Sequence, residues 1–340
     1  MSAAGTVLEQ PDLAPPGSPF CLSDRETYLR WRERKLAGYP RSAEELVVEV
    51  RDPLRLRPSE RAALAALCRC ANMALYAGPD GGDPRAAARA IGRAFGLERL
   101  DAHWLADDDA ISSIQACDAP GSGEFIPYTD RPIHWHTDGY YNPAQRRVRS
   151  LILHCVRDAA QGGENELLDH EIAYLMLRDR DPALVRALCA ADAMTIPERR
   201  EAGGVARAEQ TGPVFSFTPA DGRLHMRFTA RTRSIRWRDD DATRAAAQAL
   251  ERLLAGEGGE QAPVLRARLR PGMGLLCANV LHTRSGFLDD PLRPRLLLRA
   301  RYYDALNCDA AGRATTEEGD DSCNTTRSSM RAALPARCPS

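Results

Sequence analysis

Apolar residues recur along this chain at two different periods. The stretch PSERAALAALCRCANMALYAG (58–78) opens on Pro and Ser, closes on Gly and carries Leu and Ala at helical spacing, which predicts a helix. The same spacing predicts helices in DPRAAARAIGRAFG (83–96), in HEIAYLMLRD with PALVRALCAAD (170–192), and in DATRAAAQALERLLAG (241–256). Other segments are alternating, β-branched or aromatic and predict strands: 111–117, 148–156, 213–218, 224–237, 264–270, 272–279 and 294–304. Strands and helices do not alternate one for one, which argues against a doubly wound parallel sheet. The pattern predicts an antiparallel sandwich or barrel with helices packed outside.

Composition narrows the class. The chain has 340 residues, 44% hydrophobic and 27% charged, enough to bury a sizeable core. No apolar run approaches the roughly 18–20 residues of a membrane helix, and MSAAGTVLEQPDLAPPGSP lacks the layout of a secretion signal, so the expected location is the cytoplasm. A net charge of −1 supplies no global field for nucleic acid. Lys35 is the one lysine among 46 basic residues, a bias towards arginine that lowers the value of any single Arg as a functional sign. The ten cysteines form no CxxC pair; Cys155 and Cys277 lie in apolar runs and read as reduced core thiols. Residues 1–20 and 306–340, rich in small and polar residues, are expected to be ill-ordered flanks of a single domain over 21–305.

The chemistry concentrates in RPIHWHTDGYYNP (131–143), which holds two of only seven histidines. On an extended segment residues i and i+2 face the same way, so His136 and Asp138 emerge side by side. His282, just past an apolar strand, is the candidate third ligand. Two imidazoles and one carboxylate form the facial arrangement that holds non-haem Fe(II) and leaves positions open. His134 shares the strand face of His136 and suits an outer contact better than a third ligand. His154 reads as a core residue, whereas His103, His170 and His225 show no partner pattern.

In order and spacing, HWHTD, then GGENELLDHEIAY (162–174), then NVLHTRSGF and RPRLLLRARY resemble the taurine dioxygenase (TauD/TfdA-like) family over about 110–304. The resemblance implies an α+β fold with a mainly β core, a double-stranded β-helix or jelly roll with a helical N-terminal region and helical insertions. It implies Fe(2+) held by His136, Asp138 and His282, with 2-oxoglutarate and O2 as co-substrates. Arg295 resembles the arginine that pairs with the distal carboxylate of 2-oxoglutarate, with Arg293 and Arg299 as rivals. Asn165 stands where the family often has Thr, and its amide can still donate a hydrogen bond. Arg284 suits a loop brace. The retained carboxylate of Asp138 implies hydroxylation rather than halogenation.

The substrate is read more coarsely, as a small polar metabolite. Trp135, Tyr140 and Tyr141 would form a wall for a cationic group, which puts an amino acid or quaternary amine ahead of a sulfonate; Arg231 or Arg233 would instead anchor a carboxylate or sulfonate, with Arg299 a further substrate candidate. The face His225, Arg227, Thr229, Arg231, Arg233 reads first as solvent-exposed. Expected partners are a small molecule, with no nucleic acid or membrane, and a homo-oligomer is allowed. Two other classes compete: a cupin-like metal enzyme, which would not need Arg295, and a non-catalytic metabolite-binding protein, which would need no open iron position.

Overall fold

A computed structural model describes residues 14–102, 106–116, 125–201, 204–218, 221–231, 235–257 and 261–309. Its largest sheet runs in the order Val47–Glu49, Met73–Ala77, Met273–Cys277, Ser150–Arg157, Leu296–Tyr302, Ser112–Ile114. Only the first pair is parallel. A second sheet orders Leu265–Ala267, Asn165–Leu168, Leu281–Arg284 and Ile133–His136, all antiparallel.

Alternation along the strands builds two cores. Leu75, Leu153, Leu275 and Leu297 of the large sheet pack with Leu167, Leu265 and Leu281 of the second sheet. The opposite face of the large sheet presents Tyr76, Ile152, Leu276 and Leu298 to Leu64 and Ile91, which belong to helices Pro58–Ala71 and Pro84–Ala94. The second sheet therefore covers one face of the large sheet and helices cover the other. The α+β class with a β core holds, as do the helices over 84–94, 170–188 and 241–254.

The segment 58–78 departs from expectation. Its helix ends at Ala71, where Asn72 takes a left-handed φ of 57° and its N–H bonds the Cys68 carbonyl. The rest becomes the strand Met73–Ala77, whose first four residues are buried. A strand buried on both faces has no alternation, so its periodicity cannot be told from that of a buried helix. Asn72, able to take the left-handed conformation that ends a helix, is the local signal for this boundary. The helix Arg25–Gly38 fits the helical N-terminal region implied by the resemblance, but no apolar period marks it, because RETYLRWRERKLAG is charged nearly all round.

That helix explains the solitary lysine. Buried Lys35 reaches Asp169 at 2.5 Å and Glu171 at 2.6 Å, tying Arg25–Gly38 to the start of helix His170–Arg180. Burial opposes its charge, but the two carboxylates more than offset this and raise its pKa.

At the flanks, residues 1–13 and 310–340 lie outside the described residues. Ala14 and Phe20 are buried, whereas 15–17 are exposed, and the Phe20 ring centroid lies 5.2 Å from that of Trp31 and 5.3 Å from that of Tyr174. Leu306 and Cys308 are likewise buried.

Among the described residues the expected long strand over 224–237 is broken, forming strands at Leu224–Met226 and Arg236–Trp237, with Thr229 bridged to His136. Its expected wet face is turned inward. Arg227 and Thr229 are buried, and the Arg227 guanidinium donates to the carbonyls of Met194 and Gly212. Arg233 and His103 lie outside the described residues.

His154 is a core residue as expected, its Nδ1 2.9 Å from the Tyr76 hydroxyl, and burial holds its pKa down to about 4. An unfolded chain protonates this imidazole near pH 6.5. Between those values the unfolded state binds the proton and the folded state does not, so stability is lost as pH falls from about 6.5 to about 4. The loss is on the order of 2–3 kcal/mol. Denaturant unfolding at pH 7 and pH 4.5 should show a smaller pH dependence for His154→Gln than for the parent; equal dependence contradicts this assignment.

Candidate metal centre

The strands Ile133–His136 and Leu281–Arg284 pair with His136 opposite His282, and their imidazole centroids lie 4.2 Å apart. Each ring places Nδ1 against the carbonyl two residues earlier, His136 to His134 at 2.9 Å and His282 to Val280 at 3.0 Å. A carbonyl only accepts, so each Nδ1 carries the proton and each Nε2 keeps a lone pair for a metal.

Asp138 is positioned through its main chain. Its N–H donates to Asn279 Oδ1 at 2.8 Å, and Asn279 Nδ2 donates to the carbonyls of Asp138 at 2.9 Å and Val148 at 2.7 Å. The turn that follows requires Gly139: φ is 67°, and a Cβ there would meet Val148 Cγ2 at 2.5 Å.

Ligand atoms of His136, Asp138 and His282 lie within 4.8 Å of one another. Asp138 Oδ1 is 3.8 Å from His136 Nε2, and its Oδ2 is buried with no hydrogen-bond partner. Burial lowers the His136 pKa to about 3, helped by His282, and burial also lowers that of His282. Burial pushes the Asp138 carboxyl up, but Arg299, then Arg301 and the two histidines, hold it far below the usual carboxylate range. Two neutral imidazoles and an ionised carboxylate with a spare oxygen form a donor set that fits a divalent cation.

Arg299 and Arg301 arrive by strand parity. Along Leu296–Tyr302 the outward residues are Leu298, Ala300 and Tyr302, leaving Leu297, Arg299 and Arg301 to face inward. Arg299 Nη1 contacts Asp138 Oδ1 at 3.2 Å. Arg301 is fully buried, pairs with Asp101 and donates to the Tyr141 hydroxyl at 2.8 Å. Arg301, Asp101 and Asn279 were missed from the sequence; counting alternate positions from Arg299 would have found the first.

Arg295, at the entry to that strand, is buried beside Gly163, with its guanidinium carbon 5.1 Å from the Phe287 ring centroid. The guanidinium makes no hydrogen bond or ion pair to a described residue, and burial lowers its pKa. A buried cation in that condition calls for an anion. Arg293 is exposed on the preceding turn. Asn165 Nδ2 donates to the Thr283 carbonyl at 2.7 Å and leaves Oδ1 buried without a partner, so one donor expected to face a ligand is already engaged. Arg284 is the brace anticipated, donating to the carbonyls of Pro127 at 3.1 Å and Thr129 at 2.7 Å. His134 is exposed and contributes its carbonyl.

The aromatic wall divides. Trp135 turns away, donating Nε1–H to the Leu254 carbonyl at 3.0 Å. Tyr140 and Tyr141 stay together, ring centroids 5.1 Å apart. The Tyr141 ring already has the Arg207 guanidinium at 5.5 Å and that of Arg301 at 5.8 Å. Tyr140 hydrogen-bonds Thr229 and feels the charge of Arg231 and Arg207.

Comparison with known proteins agrees with this architecture. A family model described as taurine catabolism dioxygenase TauD, TfdA family, matches residues 34–301. A uridine-5'-phosphate dioxygenase of Streptomyces sp is 34% identical over 194 residues, covering 54% of this chain and 66% of that protein. One of Amycolatopsis sp is 30% identical over 173 residues, covering 50% and 61%. The chain thus spans just under two thirds of the length of these relatives. Among solved structures, an asparagine oxygenase in complex with Fe(II), 2S,3S-3-hydroxyasparagine and succinate shares the fold at a TM-score of 0.54 and 15% identity, covering 74% of this chain and 80% of that one.

Removing ligands should separate metal binding from folding. Loss of groups that only support a metal ligand typically costs about 10–100-fold in affinity, so His282→Ala should weaken Fe(II) or Mn(II) binding by at least about that much and leave the fold intact. Asp138→Ala should weaken the metal and also lower stability by about 3–5 kcal/mol, because it strands the buried Arg299. Metal titration beside denaturant unfolding checks both; undiminished metal affinity in His282→Ala removes it from the ligand set.

Proposed function

Because the chain belongs to the TauD/TfdA family of dioxygenases, we propose that residues 21–305 form one Fe(II)- and 2-oxoglutarate-dependent oxygenase domain that hydroxylates a small anionic metabolite. The observations carrying this reading are the His136, Asp138, His282 donor set and Arg295, a buried guanidinium with no hydrogen bond or ion pair to a described residue. A cupin-like enzyme independent of 2-oxoglutarate would have no use for that cation.

His136 and His282 would bind the metal through Nε2 and Asp138 through its carboxylate. Arg295 would grip the distal carboxylate of 2-oxoglutarate, its planar fork matching two oxygens at once. With O2, the iron and 2-oxoglutarate supply the oxidant for an unactivated C–H bond, releasing succinate and CO2. Arg299 keeps Asp138 ionised and oriented. The seven described cysteines are free thiols, in keeping with a cytoplasmic location.

The same geometry moves the substrate preference towards an acid. The Tyr141 ring is taken by the chain's own guanidiniums, so a quaternary amine would meet Arg207 and Arg301 there. With Arg231 beside Tyr140, this wall suits a phosphate, sulfonate or carboxylate. Uridine 5'-phosphate, on which the two relatives act by name, is the first compound to try.

Purified protein with Fe(II), 2-oxoglutarate and O2 should release succinate above its substrate-free background when the right acid is present. Arg295→Gln should raise the 2-oxoglutarate requirement about a hundredfold or more while metal binding persists. Arg231→Gln or Arg207→Gln should instead raise the KM for the acidic substrate. If metal-loaded protein releases no succinate with any acid, amine or amino acid, the oxygenase reading fails.

A further inference from the structure

Seven cysteines fall among the described residues, all free thiols, and two of them meet. Cys68 lies in the last turn of helix Pro58–Ala71, and Cys308 follows shortly after strand Leu296–Tyr302. Both belong to the core between that helix and the large sheet, 3% and 8% exposed, and their thiols hydrogen-bond each other. The segment carrying Cys308 is fastened in place. The Arg69 guanidinium donates to the Cys308 carbonyl at 2.8 Å, that of Arg61 donates to the Asn307 carbonyl at 3.2 Å, and the Asn307 N–H donates to the Phe95 carbonyl at 2.9 Å.

The two sulfurs are not equivalent. The hydrogen bond from Cys68, then the charges of Arg223 and Arg69, lowers the Cys308 thiol below its ordinary range against the effect of burial. The same hydrogen bond and burial raise Cys68 well above that range. Burial pushes Cys155, Cys189 and Cys277 up to about 12, so those thiols stay protonated and inert. A sulfur with thiolate character beside arginines, in contact with a second thiol, is the arrangement of an attacking and a resolving cysteine. Access is provided by a cavity of about 200 Å³, lined by Cys68 and Cys308 together with Arg69 and Arg223. An oxidant of a few atoms fits there.

We propose that Cys68 and Cys308 form an oxidisable pair that hydrogen peroxide converts into a disulfide, tying helix Pro58–Ala71 to the chain beyond the last strand. The Cys308 sulfur attacks one peroxide oxygen and breaks the O–O bond, becoming a sulfenic acid, while the departing hydroxide takes up a proton and leaves as water. The Cys68 sulfur then forms the S–S bond and displaces the sulfenic hydroxyl, which leaves as water with the Cys68 proton. Two thiols and one peroxide give one disulfide and two waters, and a dithiol reductant reverses the bridge. Because Cys308 follows the strand that carries Arg299 and Arg301, the disulfide fastens the exit of that strand to the helix layer.

The test uses the full chain, reduced, freed of reductant and exposed to hydrogen peroxide, with the remaining thiols alkylated and unreduced peptides mapped by mass spectrometry. A peptide pair joined through Cys68 and Cys308 is expected, forming at least about tenfold faster than Cys155 or Cys277 is oxidised and lost on adding dithiothreitol. Cys68→Ser should leave Cys308 as a sulfenic acid that dimedone traps, whereas Cys308→Ser should leave Cys68 a free thiol. Mapping of the parent protein decides the matter if either variant does not fold. The proposal is overturned if no such pair forms under peroxide that oxidises free cysteine in the same solution, or if Cys308 bridges to any other cysteine instead. Oxidation of Cys155 and Cys277 at the same rate, or of Cys68 at the parent rate in Cys308→Ser, would equally sink it.

Discussion

The cross-strand pairing of His136 with His282 is the constraint on which the metal site depends. A slip of one residue in either strand would turn its imidazole to the opposite face. Several features hold the register. Asn165–Leu168 pairs with the far edge of the His282 strand, Thr229 bridges His136, and Arg284 locks its strand end onto the carbonyls of Pro127 and Thr129. Asp138 lies beyond the strand and needs its own device, which the Asn279 side chain provides by binding both main-chain groups of that residue.

Electrostatics divides the arginines of the last strand by partner. Arg301 is spent on Asp101, and Arg299 leans on Asp138, while Arg295 is buried without an ion pair to a described residue. A buried cation left alone is costly, so the fold bears at Arg295 a cost that a carboxylate ligand would relieve. The sequence bias towards arginine hid this distinction, because what separates one arginine from another is the partner each finds in three dimensions.

The gathering of His136, Asp138 and His282 was legible because its signal is local. Two residues apart on an extended segment, His136 and Asp138 were expected to share a face, and His282 followed an apolar run read as a strand. Apolar periodicity likewise revealed the amphipathic helices. Features set by long-range packing were not legible. Met73–Ala77 is buried on both faces and read as helix, while Arg227 looked solvated until Met194 and Gly212 were seen to supply its acceptors. Trp135 looked like a pocket wall beside the ligands, yet strand alternation sends it to the Leu254 carbonyl. The role of Lys35 was not legible because Asp169 and Glu171, its partners, lie more than a hundred positions on.

The central claim is that one face of the fold holds Fe(II) through three side chains and receives 2-oxoglutarate against Arg295. Anaerobic addition of 2-oxoglutarate to the Fe(II)-loaded protein, followed by visible absorption, tests it most directly, since chelation of ferrous iron by a 2-oxo acid produces a charge-transfer band. The account predicts a saturable band that is absent in His282→Ala and that requires far more 2-oxoglutarate in Arg295→Gln. A parent protein that binds Fe(II) but gives no band at any 2-oxoglutarate concentration would contradict it.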